Sequence, residues 1–151
     1  MRRSGTAALA TVAADTGGWP YASLVAVALD QDGAPLLLIS RLAEHTSNIG
    51  EDSRVSLLFS DLPDDGEDPL TGSRATVVGR AQRSTQPHHK RRFLARHPEA
   101  AQYVEFTDFS FFRIEVERTH LVAGFGIIHW IEGRDALIDR KIATAFVEAE
   151  D

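Results

Sequence analysis

The chain has 151 residues, 43% of them hydrophobic and 25% charged, which suits one globular domain with room for a sizeable core. A net charge of −6 argues against a protein made mainly to bind nucleic acid or an anionic membrane. The absence of cysteine excludes disulfides, cysteine-ligated zinc or iron–sulfur sites and a thiol nucleophile, and is compatible with a cytoplasmic location.

The opening "MRRSGTAALATVAAD" has two arginines and small residues, but its apolar part is mostly Ala and Thr. It is weak as an export segment and reads as a first strand over Ala8 to Ala14. The turn "DTGGWP" leads to the apolar run "YASLVAVAL", then "DQDG", then "APLLLIS". Asp-Gln-Asp-Gly between apolar runs is a hairpin signal, with Gly33 free to take positive φ. Next come "ISRLAEHTSNI" (39–49), the apolar run "RVSLLFS" and a loop rich in Asp, Gly and Pro, whose acidic stretch at 61–68 reads as a surface excursion.

"RATVVGRAQRS" alternates, with Ala75, Val77, Gly79 and Ala81 on one side. "TQPHHKRRFLARHPEAAQYVEF" reads as two short helices, each with a proline (Pro87, Pro98) in its first turn. "FSFFRIEVERTHLVAG" alternates again, with Phe112, Ile114 and Val116 opposite Arg113, Glu115 and Glu117. Ile138, Ile142, Ala145 and Phe146 recur at helical spacing, so a C-terminal helix is expected over about 135–149. No stretch is long and apolar enough to span a bilayer. The predicted fold is mainly β with minor α, a small antiparallel barrel in a single domain covering 1–151.

Few motifs carry chemistry. "GFG" at 124–126 lacks the third glycine and the following helix of a dinucleotide fingerprint, and there is no P-loop. Of six histidines, His88 and His89 are adjacent. In a helix adjacent side chains point about 100° apart, and no carboxylate lies beside them at ligand spacing, so no metal site is expected. The basic cluster "HHKRRFLAR" reads as the solvated face of a helix rather than a phosphate or nucleic-acid site. "ISRLAEHTSNI" is the most polar join between two apolar runs. Ser40 is placed to cap a helical turn starting near Leu42, and the turn's N–H groups, with His45, Thr46 and Asn48, would suit an anion. The alternative is that Ser40 and Thr46 satisfy only local backbone groups.

The ordered set "YASLVAVALDQDGAPLLLISRLAEHTSNIGEDSRVSLLF", "RATVVGRAQR" and "RRFLARHPEA" resembles the FMN-binding split-barrel family related to pyridoxamine 5′-phosphate oxidases, over roughly residues 6–130. "HTSNI" before "RVSLLF", "DPLTG" before "RATVVGRA", and "HLVAGFGIIHWI" resemble its heme-utilisation branch most closely. The resemblance implies a six-stranded split barrel that forms a homodimer, with FMN in clefts at the subunit interface. It places Ser23, Leu24 and Val25 along the flavin, Ser40, His45, Thr46 and Asn48 at the ribityl chain and phosphate, and Arg74 near the flavin ring. Where oxidases of pyridoxamine phosphate resemble one another in a pair of basic residues, this turn has Glu44 and His45. The expected function is therefore an FMN-dependent oxidoreductase of this class acting on another small substrate. Two alternatives stand beside it. One is a heme-binding or heme-handling protein, with His120 or His129 as axial ligand or near the propionates. The other is a non-catalytic dimeric binding module.

Overall fold

The computed structural model describes Met1 and residues 4–61, 65–123 and 126–138. The pairs of apolar and polar residues along the chain curl one antiparallel sheet around a core. Its strands are β1 (Thr6–Ala13), β2 (Trp19–Ala26), β3 (Ala28–Leu29), β4 (Pro35–Ser40), β5 (Arg54–Ser60), β6 (Arg74–Ser84), β7 (Phe109–Val122) and β8 (Ile128–Glu132). They are ordered β2-β1-β5-β6-β7-β4-β3, with β8 added to β7. Three helices complete the described fold: α1 (Glu44–Glu51), α2 (Pro87–Arg96) and α3 (Gly133–Ala136), with a 3-10 turn at Pro98–Gln102.

The six expected strands are the six long ones. The run "YASLVAVAL" is divided at Val27, whose N–H extends the β1–β2 register to the Gly5 carbonyl at 2.9 Å before Ala28 changes partner to Leu36 of β4. That break separates β3 from β2, and β8 is the further short strand. The first strand starts two residues earlier than expected. Gly33 takes φ +95° in the β3–β4 hairpin, as the turn requires. Pro87 and Pro98 each sit in a first helical turn. Of the expected C-terminal helix only α3 is described, and Ile142, Ala145 and Phe146 lie outside the described residues, as do Gly124 and Phe125.

Two apolar cores share the sheet. Inside the curl, Leu9, Val25, Leu37, Ile39, Val55, Leu57, Val77 and Ile114 pack with Ile49 of α1. On the other side of β4, Leu36 and Leu38 pack with Phe93 of α2 and Ala100. β4 is thus buried on both faces, and for this reason its sequence is a continuous apolar run rather than an alternating one.

Alternation along β6 holds as expected, with Ala75, Val77, Gly79 and Ala81 buried. Along β7 it holds as far as Val116 and then changes phase. The register passes from Gly79 opposite Val116 to Val78 opposite Arg118, so Glu117 is an extra residue, a β-bulge. Beyond it Thr119 is buried, where simple alternation would have buried Arg118 and His120.

At the bulge a Cβ on Gly79 would lie 2.2 Å from the Glu115 carbonyl oxygen. Only glycine lets the two backbones approach this closely. Gly79→Ala is expected to cost about 3 kcal/mol, because the obstacle is backbone that cannot swing away. A urea-unfolding midpoint equal to the wild type would refute this tight approach.

Candidate functional site

The polar turn after β4 is built from three strands and one helix. Ser40 Oγ accepts the Leu42 N–H (3.1 Å) and donates to Asp108 Oδ2 (2.7 Å). It therefore holds the chain ahead of the helix, which begins at Glu44 rather than near Leu42 with Ala43 as its N-cap. That position has no capping side chain, and the Thr46 N–H turns back to the Ala43 carbonyl at 3.0 Å, which leaves the Glu44 and His45 amides of the first turn to donate elsewhere. His45 Nδ1 lies 3.0 Å from Ser23 Oγ of β2. Burial pushes the His45 imidazole below its usual pKa, because its charged form loses hydration. Thr46 Oγ1 is buried without a hydrogen-bond partner among the described residues. Asn48 is spent on the fold, since it is 2% exposed and its Nδ2 donates to buried Thr11 Oγ1 at 3.0 Å. Removing the Asn48 amide would orphan the Thr11 hydroxyl, at about 1–3 kcal/mol.

The structure divides the remaining predicted residues between the two faces of the sheet. Ser23 and Val25 lie opposite Leu9 and Ala7 on the inner side, and Val25 is buried in the core. Leu24 points outward and is 77% exposed. Arg74 is not brought to the His45 turn. It pairs with Ser60 and Val122 at the far end of the sheet, and Nη1 donates to the Leu70 carbonyl at 3.0 Å. Asp61 lines the same small cavity as Arg74, and no ion pair joins them among the described residues. His120 and His129 do not converge, because His120 pairs with Trp130 while His129 pairs with Leu121 on the other face of β8.

Following the register from strand to strand reveals what the one-dimensional pattern hid. Leu24, Ala8, Leu58, Thr76, His120 and Trp130 are consecutive partners across β2-β1-β5-β6-β7-β8. Directly paired residues share a face, so they form one outward row. Leu24, Leu58 and Trp130 in it are exposed, as is Ile128 beside it. The His120 and Trp130 rings lie 4.6 Å apart between centroids, and the Arg118 guanidinium sits 4.5 Å from the centre of the Trp130 ring. This face combines a broad apolar surface, an imidazole and two guanidiniums, Arg74 and Arg118. Among the described residues no helix is long and apolar enough to cross a membrane.

The profile of the CREG β-barrel family matches residues 1–137. The chain belongs to the CREG β-barrel family. This agrees with the split-barrel resemblance and its heme-utilisation branch. The chain is 38% identical over 119 residues to the non-canonical heme oxygenase HOZ, chloroplastic, of Arabidopsis thaliana, covering 77% of this chain and 36% of that protein. It is 31% identical, with a TM-score of 0.81, to the heme-binding protein from Mycobacterium smegmatis, covering 88% of this chain and 55% of the other. Campylobacter jejuni ChuZ shares the fold at a TM-score of 0.77 and 20% identity, over 89% of this chain and 57% of that one. The chain thus spans about a third to a little over half of the length of these relatives.

The depressed His45 pKa has a definite sign in stability. A histidine that resists protonation when folded lets the unfolded chain bind more protons below its ordinary pKa of about 6.5. Folding stability therefore declines as pH falls through that value, and His45→Gln is expected to flatten the decline. Urea midpoints of both proteins at pH 5.5 and 7.5 measure this, and equal pH slopes would contradict it.

Proposed function

We propose that this CREG-family chain is a heme-binding, heme-handling protein that receives the ring on the outer face of its sheet. The observation that carries the reading is the exposed row from Leu24 to Trp130 with His120 in it. Two relatives above 30% identity named for heme support it. When bound, heme would supply iron redox chemistry, and an imidazole of this chain would hold it. The residues present fit such a group. Leu24, Leu58 and Trp130 offer apolar area to a wide ring, and His120 offers the imidazole. Arg74 and Arg118 offer positive charge to the propionates, much as guanidinium groups match carboxylates elsewhere. His129 faces away and is not the ligand in this reading. An exposed apolar face also suits a second copy, so we include a homodimer with the ligand between subunits in the proposal.

The test is a hemin titration followed by the Soret band. We expect saturable binding at micromolar concentration or below. His120→Ala should weaken it at least tenfold or shift the band, and His129→Ala should leave it unchanged. Sedimentation velocity on the same samples should give a dimer. A Soret band that never departs from that of free hemin sinks the reading.

A second reading is FMN binding with oxidoreductase chemistry, favoured by the turn at α1. There the Thr46 hydroxyl, partnerless among the described residues, the His45 imidazole and the Glu44 and His45 amides form a small donor cluster suited to a phosphate. When bound, FMN would supply hydride or one-electron transfer. For this reading the combined change His45→Ala and Thr46→Ala should weaken FMN at least tenfold with little change in unfolding midpoint. Unchanged flavin affinity with lowered stability would make the turn purely structural.

A further inference from the structure

The basic helix treated above as a solvated face holds a second constellation. His88 and His89 stand at the start of α2, and the fold brings the β3–β4 hairpin against them. His89 Nε2 lies 3.0 Å from Asp30 Oδ2, and His88 Nε2 lies 3.3 Å from Asp30 Oδ1. The three ligand atoms all lie within 4.8 Å of one another. Asp30 and His89 are 8% and 2% exposed. Sequence spacing carries no hint of this, because Asp30 and His89 are 59 positions apart. The adjacent imidazoles do not point apart as expected: their ring centres lie 4.2 Å from each other at an interplanar angle of 64°, and both face the carboxylate.

We propose that Asp30, His88 and His89 form a binding site for one divalent transition-metal ion such as Zn²⁺. Three features of the site point to it. First, one imidazole Nε2 faces each oxygen of the same carboxylate, His89 at 3.0 Å from Oδ2 and His88 at 3.3 Å from Oδ1. These spacings are near the separation of about 3.3 Å between ligand atoms around a tetrahedral ion with bonds of about 2 Å. Second, His89 Nδ1 lies 2.7 Å from Ser84 Oγ, whose other contact is the Gln86 N–H it accepts. The hydroxyl keeps a lone pair and can accept Nδ1–H when an ion takes Nε2, as an outer-shell partner does in known histidine–metal sites. Third, the charges leave room for a cation. Two buried carboxylates, Asp30 and Asp32, share one guanidinium, Arg113. Each Asp30 oxygen already accepts one hydrogen bond, Oδ2 from Arg113 Nε at 3.1 Å and Oδ1 from the Gln31 N–H at 2.8 Å, and each keeps a lone pair for an ion.

Asp30 also lines a cavity of about 670 Å³ between the hairpin and α2, shared with Leu29, Gly33, Arg92 and Ala95. The cavity gives an ion a path to the carboxylate. Arg91, Arg92 and Arg96 also line it, and Arg92 Nε donates to the Leu29 carbonyl at 2.8 Å. The site lies at the opposite end of β4 from Ser40, about 20 Å away at strand rise. It is independent of both readings proposed above.

The experiment uses full-length protein stripped with EDTA, dialysed and titrated calorimetrically with Zn²⁺, with Co²⁺ added in parallel to read coordination by visible absorption. We expect one Zn²⁺ per chain, tetrahedral Co²⁺ bands, and a Zn²⁺-dependent rise in melting temperature. His88→Gln should reduce Zn²⁺ affinity at least tenfold, and because His88 is at the helix surface the variant is expected to fold. His129→Gln serves as the control for adventitious surface binding. The proposal is overturned if the stripped protein takes up no stoichiometric Zn²⁺, or if His88→Gln binds as the wild type does.

Discussion

The fold depends on one strand being buried from both sides. Leu36, Leu37, Leu38 and Ile39 of β4 are all at most 8% exposed, two facing the barrel core and two facing α2. At about 1.5–3 kcal/mol for each fully buried aliphatic side chain, these four are a large share of a typical folding free energy. Their effect is also geometric. A one-residue slip of β4 against β7 would exchange the two sets of leucines between cores of different shape. The register from Leu36 opposite Arg113 to Ser40 opposite Phe109 is therefore fixed. So are the positions of the hairpin entering β4 and the turn leaving it. Every polar cluster discussed, apart from the outer row, hangs from one end of this strand or the other.

Local features of the fold were legible in the sequence for local reasons. Gly33, Pro87 and Pro98 announce backbone geometries that few other residues adopt, and β6 carries its alternation on its surface. The phase change on β7 was not legible. A bulge leaves no mark in composition, and its requirement for Gly79 comes from a partner strand more than thirty residues away. The candidate sites divide in the same way. The turn at Ser40–Asn48 stood out because so many polar groups follow an apolar strand. Yet its members have unlike roles: Ser40 braces Asp108, Asn48 braces Thr11, and only His45 and Thr46 keep donor capacity. The outer row required registers across five strand pairs, and the bridge from Asp30 to the histidines required a hairpin to meet a helix. Neither is encoded in any short window.

The two faces of the sheet present different chemistry to a ligand. Inside the curl, polar groups are few and mostly paired, which suits a small anionic group held at the rim. Outside, the area is broad, apolar and open, with its cations at the edges rather than in the middle. A planar hydrophobic ring with carboxylates on its margin matches the second arrangement better than a long polar chain does.

The bulge at Glu117 has a consequence for how this surface can change over evolutionary time. Side-chain direction on a strand is a matter of parity, and Glu117 is the single count that sets the parity of everything after it on β7. Deleting it would turn His120 inward and Thr119 outward, replacing the imidazole of the outer row with a hydroxyl and forcing a ring into the core. Point substitutions along this face can be sampled one at a time, with small steps in affinity. A one-residue insertion or deletion there rewrites the whole face at once. The lineage is thus free to vary the chemistry of the row while its length stays frozen.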